Sequence, residues 1–224
     1  MTKQFILNFH GIGHPHHGVD EAERPYWLSE SFFSAIVEMV AKRTDAEDIL
    51  WTFDDGNASD LSIAAPILTE YRFKAQFFVL TGRLNDPNYL SPDDVRTLLQ
   101  MGMEVGLHGR SHVDWRLSDA QELHAEVTEA RDSLAKIVGR PIDRVAIPFG
   151  AYNRRVITHL KRSGFSRIYT SDGGASDSSQ QVRGRTTVRR DTSMHELTSL
   201  IENRLSLRHN LRRTVSAIVR QHII

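Results

Sequence analysis

The feature that most constrains this chain is the regular alternation of short β-type runs with helical stretches. QFILNF (4–9), ILWTFD (49–54), AQFFVL (75–80), MEVGL (103–107), RVAI (144–147), SRIYT (166–170) and VRGRTTV (182–188) read as strands. Between them, residues 29–43, 59–71, 91–101, 118–138 and 152–164 carry helical periodicity, most of these segments opening on a Ser that can cap a first turn. Repeated strand–helix units imply parallel pairing, since each strand must be carried back to the same end before the next begins. In 224 residues without internal repeats, seven such units imply one irregular, closed or nearly closed barrel spanning 1–224.

Reactive side chains recur at one end of these runs. His10, Asp54 with Asp55, His108 with His112, the Pro148–Phe149–Gly150 turn and Asp172 each follow a different predicted strand. In an α/β barrel all of those strand ends meet on one rim, the face where such folds place their chemistry. The adjacent carboxylates of TFDDG repel each other unless a cation sits beside them. With no cysteine in the chain, a metal would have to use imidazole and carboxylate donors. His108 and His112, in GLHGRSHVDW, have the i, i+4 spacing that puts two imidazoles on one side of a helical turn. Joined to a carboxylate from a neighbouring strand, they make a His–His–Asp set with a coordination position left for water. Lys+Arg and Asp+Glu are both 28, which leaves no global attraction to nucleic acid.

TFDDG, then H-x-x-x-H some way downstream, then P-F-G, in this order, resembles the polysaccharide deacetylase (NodB-homology, carbohydrate esterase family 4) domain, from about Trp51 to Asp172. The resemblance implies a distorted (β/α)7 barrel that uses a divalent metal, usually zinc, to hydrolyse acetyl groups on an N-acetylated sugar or glycan. It makes Asp54 the general base and Asp55, His108 and His112 the metal ligands, and it places an oxyanion contact in the Pro148–Phe149–Gly150 turn. Three departures stand out. Gly109 replaces the hydroxyl residue of H-[ST]-x-x-H, Ala146 stands where the family has an arginine, and the late Leu-x-His motif that supplies the catalytic acid is absent. NFHGIGHPHHGVDEAERPYW resembles the start of exopolysaccharide deacetylases of the poly-N-acetylglucosamine type, in which a histidine after the first strand takes over as acid. His10 matches that position, while His14, His16 and His17 read as loop residues near a sugar cleft.

Asp172 matches a carboxylate that orients catalytic groups, with Arg185 or His10 as its expected partner. Tyr26, Trp27, Trp115 and Tyr152 are candidates for stacking on sugar rings. The stretch from about 193 to 224 reads as a basic helix with Arg204, Arg208, Arg212, Arg213 and Arg220. That helix either covers the barrel or docks on anionic lipid headgroups. The apolar stretch before His10 is too short for a secretory signal, so the expectation is a cytoplasmic protein, peripheral at the inner membrane face if the helix docks. Two other functions fit the same residues: a catalytically impaired barrel that only binds carbohydrate, and a metal hydrolase of amidohydrolase or phosphoesterase type.

Overall fold

Every predicted strand except the last forms as a single strand. The computed structural model describes residues 3–202. It contains β1 (Lys3–Phe9), β2 (Ile49–Phe53), β3 (Ala75–Val79), β4 (Glu104–Leu107), β5 (Arg144–Ala146) and β6 (Arg167–Thr170), each parallel to the next. The run predicted as one strand over 182–188 breaks at Arg185. Its first part, β8 (Val182–Gly184), pairs in parallel with β6, and its second, β9 (Thr186–Thr187), pairs in parallel with β1. This switch of partner closes the barrel. One strand departs from the all-parallel expectation: β7 (Ala175–Asp177) runs antiparallel to the first half of β1.

The helices are α1 (Glu30–Ala41), α2 (Ala65–Glu70), α3 (Pro92–Gln100), α4 (Ala120–His124), α5 (Ala130–Val138), α6 (Arg154–Arg162) and α7 (Met194–Glu202). Ser29 caps α1 by accepting from Phe32 N, and Ser91 forms a reciprocal capping box with Asp94 at α3. A π-helical turn over Asp60–Ala64 leads into α2, and another over Ala125–Glu129 joins α4 to α5. No helix among the described residues is long and apolar enough to cross a membrane. Arg204, Arg208, Arg212, Arg213 and Arg220 lie outside the described residues, so the predicted basic helix is followed only through α7.

Strands covered on both faces read as continuous apolar runs, and β1 is the clearest case. Its outward residues Phe5, Leu7 and Phe9 pack under the helices, while Ile6 points inward with Phe78, Ala146 and Tyr169. Phe9, Phe53 and Phe77 are register partners on three adjacent strands, stacked at ring separations of 5.3 and 4.8 Å. Because side chains alternate along a strand, an outward Phe53 turns Asp54 inward. By the same alternation Phe9 and Leu107 turn His10 and His108 toward the barrel mouth. The aromatic rung therefore positions the site as well as the core.

Candidate functional site

Asp54 and Asp55 leave β2 in different surroundings. The Asp54 carboxylate is forked by Arg185, whose Nη1 and Nη2 each donate at 2.7 Å, and it also accepts from Asn8 Nδ2 at 2.9 Å. Arg185 is fully buried and donates from Nη1 to Asn8 Oδ1 at 2.7 Å as well, while Thr52 Oγ1 donates to the same oxygen at 2.9 Å. Burial alone would raise the Asp54 carboxyl. The Arg185 guanidinium, helped by His108, outweighs it and holds the group well below the usual carboxylate range. Asp54 is thereby kept ionised and fixed in orientation.

Asp55 has a left-handed backbone, φ 76°, unusual for a residue with a Cβ. Its Oδ1 is buried without a hydrogen-bond partner and lies 3.5 Å from both His108 Nε2 and His112 Nε2. One donor atom from each of these three residues falls within 4.8 Å of the other two. Bonds of about 2.0–2.2 Å at tetrahedral angles put neighbouring ligand atoms about 3.3–3.6 Å apart, so the two Asp55–His separations fit a zinc-type site. The orphaned buried oxygen is what an ion would satisfy.

His108 and His112 are not brought together by a helical turn. His108 follows β4, where its N–H donates to Val79 O and its Nδ1 lies 3.0 Å from Ala146 O. His112 lies in an irregular loop at φ 56°. That loop is anchored by Glu126, a buried carboxylate that accepts from Arg110 N at 3.0 Å, from Ser111 N at 3.1 Å and from Trp115 Nε1 at 3.5 Å. A Cβ on Gly109, which has φ 101°, would stand 2.9 Å from Glu126 Oε2. Glycine at this position therefore suits both the turn and the carboxylate beneath it. Sequence reading missed Glu126, although a signal was there: an acid in the apolar stripe formed by Leu123, Val127, Ala130 and Leu134.

Other predicted residues are relocated or reassigned. Trp115 is 0% exposed and bonded to Glu126, so it supports the His112 loop from inside and cannot stack on a sugar. Trp27 and Tyr152 are also buried. Asp172 accepts from Tyr152 Oη at 2.6 Å and from Thr170 Oγ1 at 2.8 Å, while the forked ion pair of Arg185 is made with Asp54. A guanidinium thus reaches the site from the β8–β9 junction rather than from position 146, where Ala146 belongs to the inner core. Among the Pro148–Phe149–Gly150 residues, proline has no N–H and the Gly150 N–H is committed to Ile147 O. Phe149, at φ 57°, is 61% exposed, and its ring lies 4.3 Å from that of His112.

The His10 ring lies 4.9 Å from that of Tyr26 at a tilt of 34°, and its Nδ1 is buried without a partner. His16 sits between Trp27 and Tyr89, while His14 and His17 are exposed. Asp60 is fully buried with both oxygens unpartnered, and burial, then the charges of Asp55 and Asp54, push its carboxyl well up.

A family model described as polysaccharide deacetylase matches residues 41–168, more than half of the chain. The chitooligosaccharide deacetylase of Rhizobium leguminosarum bv. trifolii is 28% identical over 129 residues, which cover 57% of this chain and 58% of that protein. The chain thus spans little more than half the length of this curated relative. The solved structure of Streptococcus pyogenes deacetylase PplD in complex with acetate superposes with a TM-score of 0.77 at 20% identity, over 89% of this chain and 98% of that one. IcaB from Ammonifex degensii gives 0.72 at 20% identity, over 89% and 97%.

Proposed function

Since the chain belongs to the polysaccharide deacetylase family, we propose that it is a metal-dependent hydrolase that removes acetyl groups from an N-acetylated sugar within a glycan, in exopolysaccharide or related polymer assembly. The observation that carries this reading is the division of labour between two adjacent carboxylates. Asp55 Oδ1 faces two imidazoles, and Asp54 beside it is held ionised by Arg185. Asp55, His108 and His112 would hold a divalent ion, zinc fitting the donor set well, which would supply Lewis-acid polarisation of the acyl carbonyl and a more acidic water.

The chain's own residues supply the rest. Asp54 accepts the proton of the attacking water, and Arg185 with Asn8 fixes the orientation of its carboxylate. The N–H of Phe149 is the donor left in its turn for the developing oxyanion. His10 gives a proton to the departing amine as the C–N bond breaks, leaving acetate and a free amino sugar. Assay of purified protein on N-acetylglucosamine oligomers, with phosphoesters alongside, should show acetate release that chelation abolishes and a divalent ion restores. Turnover of phosphoesters alone would overturn the reading.

A further inference from the structure

The loop over 11–28, all of which precedes the family match, crosses from the end of β1 to the Asp55–His108–His112 cluster. Its stem is tied by Leu28 N donating to Gly11 O, by Gly13 N donating to Leu28 O and by Ile12 N donating to Ser59 Oγ. A Cβ on Gly11 would stand 2.2 Å from the Trp27 indole, so backbone and ring are in direct contact there. Farther along, Glu23 N donates to Asp20 O and Tyr26 N to Glu23 O, which fixes the backbone on either side of the Glu23 side chain. That side chain is 27% exposed, and its Oε1 lies 3.5 Å from His112 Nδ1.

The two imidazoles are therefore oriented differently. His108 Nδ1 faces a neutral carbonyl, Ala146 O, whereas His112 Nδ1 faces a carboxylate. A carboxylate on the far nitrogen of a ligating histidine fixes the tautomer, aims the other nitrogen and makes it more basic toward an ion. His112 needs such support more than His108, because it stands on an irregular loop instead of directly after a strand.

We propose that Glu23 is a positioning residue of the metal centre, holding His112 with Nδ1 protonated and Nε2 directed at the ion position beside Asp55. This rests on the metal-dependent reading above. The test is calorimetric titration of the chelator-stripped full chain with Zn2+, alongside long-range 1H–15N spectra of its histidines above the pH of imidazole titration. Glu23→Ala should weaken binding about 10–100-fold, as loss of an outer partner of a ligating histidine does, and let His112 populate both tautomers. Glu23→Gln keeps the acceptor oxygen without the charge and should lose about tenfold. Glu21→Gln, an equal charge change at an exposed position on the same loop, should bind as wild type. Unchanged affinity and tautomer in both Glu23 variants would overturn the inference, as would an equal loss in Glu21→Gln. Failure of the wild-type chain to bind Zn2+ would instead overturn the metal reading, and this inference with it.

Discussion

Replacing Arg185 with Met keeps most of the buried volume but removes the guanidinium that forks Asp54 and reaches Asn8. The carboxylate would be left buried with Asn8 as its remaining side-chain donor. Removing one partner of a buried ion pair costs about 3–5 kcal/mol, mostly the penalty of stranding the other charge. With a urea m-value of about 2 kcal/mol/M, the denaturation midpoint should fall by about 2 M at pH 7. Measurements belong in chelator, so that metal binding does not add to stability. The dependence on pH also has a definite sign. In the wild type the Asp54 carboxyl is held below its unfolded value, so its stabilisation is present above the ordinary carboxylate range and is lost as pH falls toward the folded value. In Arg185→Met, burial acts with much less opposition and raises the carboxyl, so this group should stabilise the variant as pH falls. The double variant with Asp54→Asn should cost less than the sum of the two single changes, because they share one interaction. A loss under about 1 kcal/mol, or strict additivity, would refute this account of Arg185. Arg185→Lys should lie in between, since a point charge cannot reproduce the fork.

Asp55→Ala, His108→Ala and His112→Ala should each lose bound metal together with activity, whereas Asp54→Asn should retain metal and lose about 100-fold or more in turnover; metal content beside acetate release separates the two classes. His10→Ala should suppress amide deacetylation while sparing hydrolysis of a nitrophenyl acetate, because a nitrophenolate departs without a proton; equal losses on both substrates would remove His10 from the acid role. Glu126→Ala removes the acceptor of the Arg110 and Ser111 N–H groups, at about 1.5–3 kcal/mol for each hydrogen bond to a charged group. Thermal denaturation should show that loss together with weaker metal binding, since the loop carrying His112 is released.

Much of the barrel, and the rim on which Asp54, Asp55, His10 and His108 gather, was legible in the sequence, because strand ends follow from local pattern. Apolar runs of β-type residues separated by helical stretches dictate parallel strands, and parallel strands deliver whatever follows each run to one rim. Asp54, His10 and His108 needed no more than this, since period-two alternation after Phe53, Phe9 and Leu107 already turns side chains inward; alternation would have turned Asp55 outward, and its left-handed backbone brings it back to the two imidazoles. Contacts between residues far apart in the chain had no such local signature. Arg185 and Asn8 are 177 positions apart and meet only because β8 and β9 share one run that closes the ring. That closure made Asp54, and not Asp172, the partner of the Arg185 fork. Trp115 reads as an exposed loop aromatic until Glu126 draws the loop onto α4 and α5. The i, i+4 spacing of His108 and His112 suggested a helix, yet a left-handed backbone and a buried carboxylate impose the geometry. Local periodicity determines which elements form and which end of the barrel carries the chemistry. The partner of each buried charge is decided by closure, because a charge taken out of water is stable only beside a counter-charge or donors that distant strands and loops bring to it.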